Sequence, residues 1–250
     1  NRSMGDAAIG RDEEGKIILG RDYGGGAGPS SVFHIPDEPF RVQEIRHLTD
    51  ATFVMKIDRH DMPFRPGQCM SVGLKNSGVN REYSLYSGID DPYIEILIRE
   101  VPSGAVSPRL KRCETGAMLD VLGPYSEFVL TKPHDKSRRY LFIGTGTGIA
   151  PYRSFVRSYD LDYKIIHGVS YANERYDHSE YPSERYVACV NREVAEGCFH
   201  GRVTEYLSRE SIDPTLFCYL CGNRKMLDEV FELLRSKGVP STQIITEVFF

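Results

Sequence analysis

The sequence lacks most of the features that assign a class at a glance. It has no apolar run near the roughly 18 residues a membrane span requires, so no span is expected. It has no excess of positive charge. Lys and Arg number 31 against 35 Asp and Glu, a formal net charge of −4, which argues against nucleic-acid binding. It has no paired metal-ligand motif. Its six cysteines, Cys69, Cys113, Cys189, Cys198, Cys218 and Cys221, are irregularly spaced, and only Cys218 and Cys221 form a C-x-x-C. A structural zinc site needs a second such pair, so no metal is expected. A redox C-x-x-C should open a helix after a strand, whereas FCYLCGN reads as a buried strand. Nothing demands an oxidising compartment, so a cytoplasmic or other intracellular soluble protein with reduced thiols is expected. The opening NRSM has no apolar core and so forms no intact secretory signal, and no internal repeat is visible.

What is present suits a globular protein of one or two domains. The 250 residues are 40% hydrophobic and 26% charged, enough to bury a core without staples. Residues 1–37, including GGGAGPSS at 24–31, read as a flexible N-terminal extension. Over 38–132, FRVQEIRHL, TFVMKID, QCMSVGL, REYSLYS, YIEILIREV and MLDVLGPY read as six short strands and predict an antiparallel β-barrel. Over 138–250, strand-like RRYLFIG, YKIIHGVS, ERYVACV, FCYLCG and TQIITEVFF alternate with helical APYRSFVRSY, GRVTEYLSRE and KMLDEVFELLRSKG. That alternation predicts an α/β doubly wound parallel sheet. The boundary is expected in TKPHDKS, residues 131–137.

The stretch GTGTGIAPYRSF, residues 144–155, lies between an apolar strand and a helical segment. Glycine lets backbone approach a pyrophosphate closely, and a helix N-terminus offers unpaired N–H groups. Pro151 suits the first helical turn. The spacing of Gly144, Gly146 and Gly148 is G-x-G-x-G, not the G-x-G-x-x-G dinucleotide fingerprint. The next strand ends in HGVS, without an acidic residue for a ribose 2′-hydroxyl, which leaves room for a 2′-phosphate. Taken alone, the stretch is either a nucleotide site or a structural loop.

In REYSLYS, Arg81 can neutralise a phosphate, Tyr83 offers an aromatic face and Ser84 a hydroxyl. Downstream, Gly104, Ala105, Val106 and Ser107 can form an anion-cradling turn, with a helix that starts near Ser107 or Pro108. Two phosphate-compatible features in one barrel point to a dinucleotide such as FAD.

The ordered set FRPGQ (64–68), REYSLYS (81–87), VPSGAVSPRL (101–110), GPYSEF (123–128), GTGTGIAPYRSF, VNRE (190–193), GRVTEYL, CGN (221–223) and TEVFF resembles the ferredoxin–NADP⁺ reductase family over about residues 38–250. Bacterial-type and plant-type motifs are mixed. The resemblance implies a flavoprotein oxidoreductase that uses FAD and NADP(H). Arg81 would contact the FAD pyrophosphate, Tyr83 would pack on the isoalloxazine, and Ser84 would sit near flavin N5. Gly104, Ala105, Val106 and Ser107 would complete the flavin site, with Phe249 or Phe250 stacked on the ring. Gly144, Thr145, Gly146, Thr147, Gly148 and Pro151 would hold the nicotinamide nucleotide together with Cys221, Gly222 and Asn223. Arg192 and Arg202 would hold the 2′-phosphate. Ser84, Cys221 and Glu247 are the implied catalytic residues. Two departures stand out. Ser170 falls where bacterial relatives carry an arginine, and Ser126 replaces a frequent glycine, where only a small loop change is expected.

The implied reaction exchanges hydride with NADP(H) and single electrons with a ferredoxin or flavodoxin, by a monomer. Arg46, Arg59, Arg138 and Arg139 are candidates for the basic patch that an acidic partner would need. A reductase serving an oxygenase, and a non-catalytic flavin-binding subunit of a larger complex, are the alternatives. The cysteines leave no cluster for a fused iron–sulfur domain.

Overall fold

The computed structural model describes residues 38–248 and, before them, two strands, β1 (Ala8–Arg11) and β2 (Ile17–Gly20), which pair antiparallel. The rest of the 1–37 extension, and Phe249 and Phe250, lie outside the described residues.

The first sheet contains β3 (Phe40–His47), β4 (Thr52–Asp58), β5 (Cys69–Leu74), β6 (Arg81–Ser84), β7 (Tyr93–Arg99) and β8 (Met118–Tyr125). They are antiparallel neighbours in the order β6-β5-β8-β3-β4-β7. A bridge between Leu85 and Ile96, with Tyr86 N–H donating to Glu95 O at 2.7 Å, joins the two edge strands and closes the barrel. Closure leaves no long edge to recruit another strand. A short helix, α1 (Ser107–Arg112), leads into β8.

Strand alternation explains why β4 and β7 are buried on both faces. Phe53, Met55 and Ile57 point into the barrel with Ile94, Ile96 and Ile98, whereas Val54 and Leu97 point outward into a second core. That core is shared with the other sheet.

The second sheet is parallel throughout, in the order β12-β11-β10-β9-β13-β14. Its strands are β9 (Arg139–Thr145), β10 (Asp162–Val169), β11 (Tyr186–Val190), β12 (Phe199–His200), β13 (Phe217–Gly222) and β14 (Ile244–Val248). The short edge strand β12 carries no alternating run of its own, so the sequence pattern does not predict it. Helices α2 (Ala150–Ser158), α3 (Val203–Arg209) and α4 (Arg224–Ser236) connect the strands. On β9, Tyr140 and Phe142 face the barrel while Leu141 and Ile143 face α3 and α4. On β13, Tyr219 and Cys221 likewise face the barrel and Cys218 the opposite side. A three-residue spacing on a strand thus separates the two thiols of the C-x-x-C, and both remain buried. The chain runs outward from β9 to β12 and returns to β13 on the other side of β9. The topological switch point therefore lies between β9 and β13, where open α/β sheets bind ligands.

The barrel and the parallel sheet meet around α2. Arg153, 4% exposed, donates to Glu95 Oε2 at 2.8 Å and to the Tyr86 carbonyl at 2.9 Å, both on the barrel. It also makes a paired contact with Glu180 at 2.7 and 2.9 Å and lies over the Tyr86 ring at 4.2 Å. Arg46 pairs with Asp177, which accepts from Tyr86 as well, and Arg157 pairs with Asp91. Paired guanidinium–carboxylate contacts fix orientation as well as contact. Replacing Arg153 by Leu leaves Glu95, 6% exposed, without its cation. Urea unfolding of Arg153→Leu is expected to show a loss of about 3–5 kcal/mol, and the double variant Arg153→Leu/Glu95→Leu a partial recovery.

Candidate active site

A cleft of about 520 Å³ opens at the switch point. Thr145, Gly146 and Thr147 line it at the end of β9, Gly222 and Asn223 at the end of β13, and Gly168, Val169 and Ser170 at the end of β10. After β9 the chain takes one 3-10 turn, Gly146–Ile149, and enters α2 with Pro151 in its first turn. Gly146 has φ +54, a left-handed conformation that glycine adopts freely. Gly148 packs beneath the turn, where an added Cβ would stand 2.4 Å from the Cys221 carbonyl. The glycines therefore do different work. Gly146 faces the cleft, while Gly144 and Gly148 let strand, turn and β13 approach one another.

Among the residues implied for the nicotinamide nucleotide, Thr145, Gly146, Thr147, Arg202, Gly222 and Asn223 line this cleft. Gly144, Gly148, Pro151 and Cys221 are buried behind it. Arg192 is exposed outside the lining set, its guanidinium 6.0 Å over the Tyr171 ring. Lys225, Asn191 and Arg99 also line the cleft, and the motif reading did not name them. Lys225 follows Asn223, whose side chain caps α4 by accepting from Met226 N–H at 3.0 Å. A capping Asn followed by cations at a helix start was the available sequence signal.

On the barrel side, β6 carries Arg81, Tyr83 and Ser84. Arg81 is exposed and donates to the Asn80 carbonyl at 2.8 Å. Tyr83 is half-buried, and that burial pushes its phenol up to about 12. Ser84 is buried at the end of the strand, and its Oγ has no well-formed hydrogen bond among the described residues. The turn before α1 is closed by Gly104 N–H to Val101 O at 2.7 Å and by Val101 N–H to Ser107 Oγ at 2.9 Å. Val106 is a core residue, and Ala105 is exposed.

The two sides join at one point. β5 pairs Cys69 with Ser84 and with Tyr125, next to Ser126. β13 pairs Cys221 with Glu247 on β14 and with Gly144 on β9. Ser126 Oγ donates to Glu247 Oε1 at 2.8 Å, and Cys221 Sγ stands 4.0 Å from Glu247 Oε2. Ser126 is thus more than a loop change. At φ +97 it occupies a glycine-favouring conformation, and its hydroxyl ties the barrel to the last strand. Burial pushes the Glu247 carboxyl up to about 7, against the hydrogen bond from Ser126 and the nearby Ser84 hydroxyl, with Glu82 reinforcing the rise. Burial and the neighbouring Glu247 hold the Cys221 thiol well above its ordinary value, so it stays protonated at neutral pH.

The four arginines named as candidates for a basic patch all make internal contacts. Arg46 is paired with Asp177 and Arg139 with Asp213. Arg59 donates to the carbonyls of Met62, Ile89 and Asp91, and Arg138 is held by Thr131 and lies over Phe217. Internal contacts use all four.

The residues fit an FAD. A buried hydroxyl without a well-formed hydrogen bond, a half-buried tyrosine on the same strand and an exposed guanidinium match a group with polar ring edges, a flat face and a pyrophosphate. Residues 41–130 match the oxidoreductase FAD-binding domain family. Fold and match together define an FAD-binding oxidoreductase. The chain is 27% identical over 215 residues to the flavodoxin/ferredoxin–NADP reductase of Escherichia coli (strain K12), covering 75% of this chain and 85% of that protein. It is 24% identical over 225 residues to the toluate 1,2-dioxygenase electron transfer component of Pseudomonas putida, covering 83% of this chain and 66% of that one. A ferredoxin NADP⁺ reductase structure from Neisseria gonorrhoeae, with bound FAD and NADP, shares the fold at a TM-score of 0.73 and 22% identity, over 86% of this chain and all of that one. These matches support a likeness to the ferredoxin–NADP reductase family. No helix among the described residues is long and apolar enough to cross a membrane.

The Ser126 contact makes a prediction. A hydrogen bond donated to a carboxylate favours its charged form, so Ser126→Ala should move the Glu247 titration above its starting point of about 7. Carboxyl ¹³C NMR, assigned with Glu247→Gln, measures it, and an unmoved or lowered midpoint contradicts the role.

Proposed function

We propose that this chain exchanges hydride with NADP(H) through FAD and passes single electrons to a ferredoxin or flavodoxin. The observation that carries this reading is the meeting of Ser84, Ser126, Cys221 and Glu247 where the barrel end abuts the switch-point cleft. FAD, when bound, supplies the conversion between a hydride pair and single electrons. The chain's own residues supply position, charge and protons. The Ser84 hydroxyl is held by a paired strand near the Glu247 carboxyl and makes no well-formed hydrogen bond among the described residues, so it is available to a ring nitrogen or carbonyl. Cys221, neutral and buried, gives a polarisable wall without a competing charge. Glu247, titrating near neutrality, can hold or release a proton at Oε2 while Ser126 fixes Oε1. Arg202 and Lys225 give the cleft cations for the phosphates of the nucleotide, and guanidinium suits a 2′-phosphate. The similarity to a dioxygenase electron transfer component supports a second reading, a reductase serving an oxygenase through a separate iron–sulfur protein.

Two outcomes test the assignment. Ser84→Ala should retain bound FAD and slow stopped-flow flavin reduction by NADPH about ten-fold, the scale of one lost buried hydrogen bond. An unchanged rate removes Ser84 from the site. Arg202→Ala should raise KM for NADPH about ten-fold or more and leave that for NADH unchanged. Arg192→Ala, outside the cleft lining, should have the smaller effect. Equal loss with both coenzymes contradicts a 2′-phosphate contact.

A further inference from the structure

The buried His167 on β10 takes no part in the site as described, yet it is bonded to the turn at its centre. It is fully buried, with 0% exposure. Its Nε2 lies 2.8 Å from the Gly146 carbonyl, and its Nδ1 lies 2.9 Å from the Tyr186 hydroxyl. A carbonyl oxygen only accepts, so Nε2 carries the proton and Nδ1 accepts from Tyr186. Tyr186 on β11 fixes that tautomer and is itself stacked on Tyr181, ring centroids 5.4 Å apart at 13°. Burial holds the imidazole down at about 4, so it is neutral at working pH and never places a second cation behind the turn.

Gly146 needs such a partner. Its φ of +54 turns its peptide differently from those of the strand before it, and the residue lines the cleft. A carbonyl aimed into the cleft would repel an anion, and one aimed inward without a donor would be a buried unpaired acceptor. We propose that His167 is the positioning residue of the glycine turn: its Nε2–H holds the Gly146 carbonyl inward, so the turn presents N–H groups rather than a carbonyl to the anionic part of the nicotinamide nucleotide. This rests on the reading that the cleft binds that nucleotide. Register supports it, since β10 pairs His167 with Gly144 and so aims the side chain just beyond the strand end, where the turn begins. His167 thereby connects the turn through Tyr186 and Tyr181 to the loop that carries Glu180, the partner of Arg153.

The test is NADP⁺ binding to the FAD-loaded protein by calorimetry, beside steady-state KM and kcat. His167→Phe keeps a ring and removes the donor. It should weaken NADP⁺ binding and raise KM about ten-fold, the scale of one unsatisfied buried acceptor, while FAD content and kcat at saturation stay within about two-fold of wild type. His167→Gln, whose amide can donate to Gly146 and accept from Tyr186, should restore most of the affinity. A purely structural role would lower FAD content or kcat in parallel and would not distinguish Gln from Phe. Unchanged NADP⁺ affinity in a folded, FAD-loaded His167→Phe overturns the proposal, as does a Gln variant no better than Phe. If His167→Phe does not fold, Tyr186→Phe carries the test: it frees the tautomer and should weaken NADP⁺ binding at least three-fold (~0.65 kcal/mol at 25 °C), and unchanged affinity there overturns the proposal. Wild-type protein that binds neither NADP⁺ nor NAD⁺ would sink the functional reading itself, a result distinct from all of these.

Discussion

The buried guanidinium of Arg153 is the contact on which the arrangement of the molecule turns. It lies on the helix that begins at the glycine turn, and it reaches across to Glu95 and Tyr86 on the barrel. One side chain therefore ties the helix that follows the glycine turn to the barrel at β7 and at the chain just after β6. The surrounding pairs, Arg46 with Asp177 and Arg157 with Asp91, repeat the device on either flank. Apolar contact between Val54, Leu97, Phe142 and Phe155 supplies adhesion, but apolar contact is non-directional. The paired charges set the angle, and breaking one leaves a buried carboxylate uncompensated.

That fixed angle gives meaning to the small cluster at the seam. Glu247 on the last strand would be an ordinary carboxylate if exposed. Lodged between Ser126 and Cys221, it titrates close to neutrality. A group that binds and releases a proton in this range serves proton transfer better than a fully ionised acid. Ser84, brought beside Tyr125 through Cys69 on β5, makes no well-formed hydrogen bond among the described residues. Preorganised groups of this kind work only if the two sheets do not slide, which returns the burden to the α2 interface. His167 extends the same logic into the parallel sheet, where a neutral, doubly bonded imidazole stiffens a turn whose glycine could otherwise take several conformations.

The parts of the fold legible in the sequence were those with local causes. Alternation drew the six barrel strands, and the continuous apolar runs of β9 and β13 reflect burial on both faces. Asn223, Met226, Leu227, Val230 and Leu234 mark α4 by cap and spacing. The resemblance named Ser84, Cys221 and Glu247 from three distant stretches, and register brings them to one seam. What could not be read depended on partners far along the chain. Arg46 looked like a surface cation because nothing near it in sequence is acidic in the right place. Its partner, Asp177, is 131 residues away. Ser126 looked like a tolerated substitution because its bond to Glu247 spans 121 residues. Strand β12 escaped because two residues are too few to show a period.

The central claim is that the cleft and the barrel end form one reaction site, close enough for direct hydride passage. Single-turnover reduction of the FAD-loaded protein by NADPH and by [4,4-²H₂]NADPH, mixed anaerobically, tests it most directly. The expected result is bleaching of the flavin absorbance with a primary deuterium isotope effect on its rate. Flavin that stays oxidised in the presence of NADPH, or that bleaches at the same rate with either isotopologue, would contradict it.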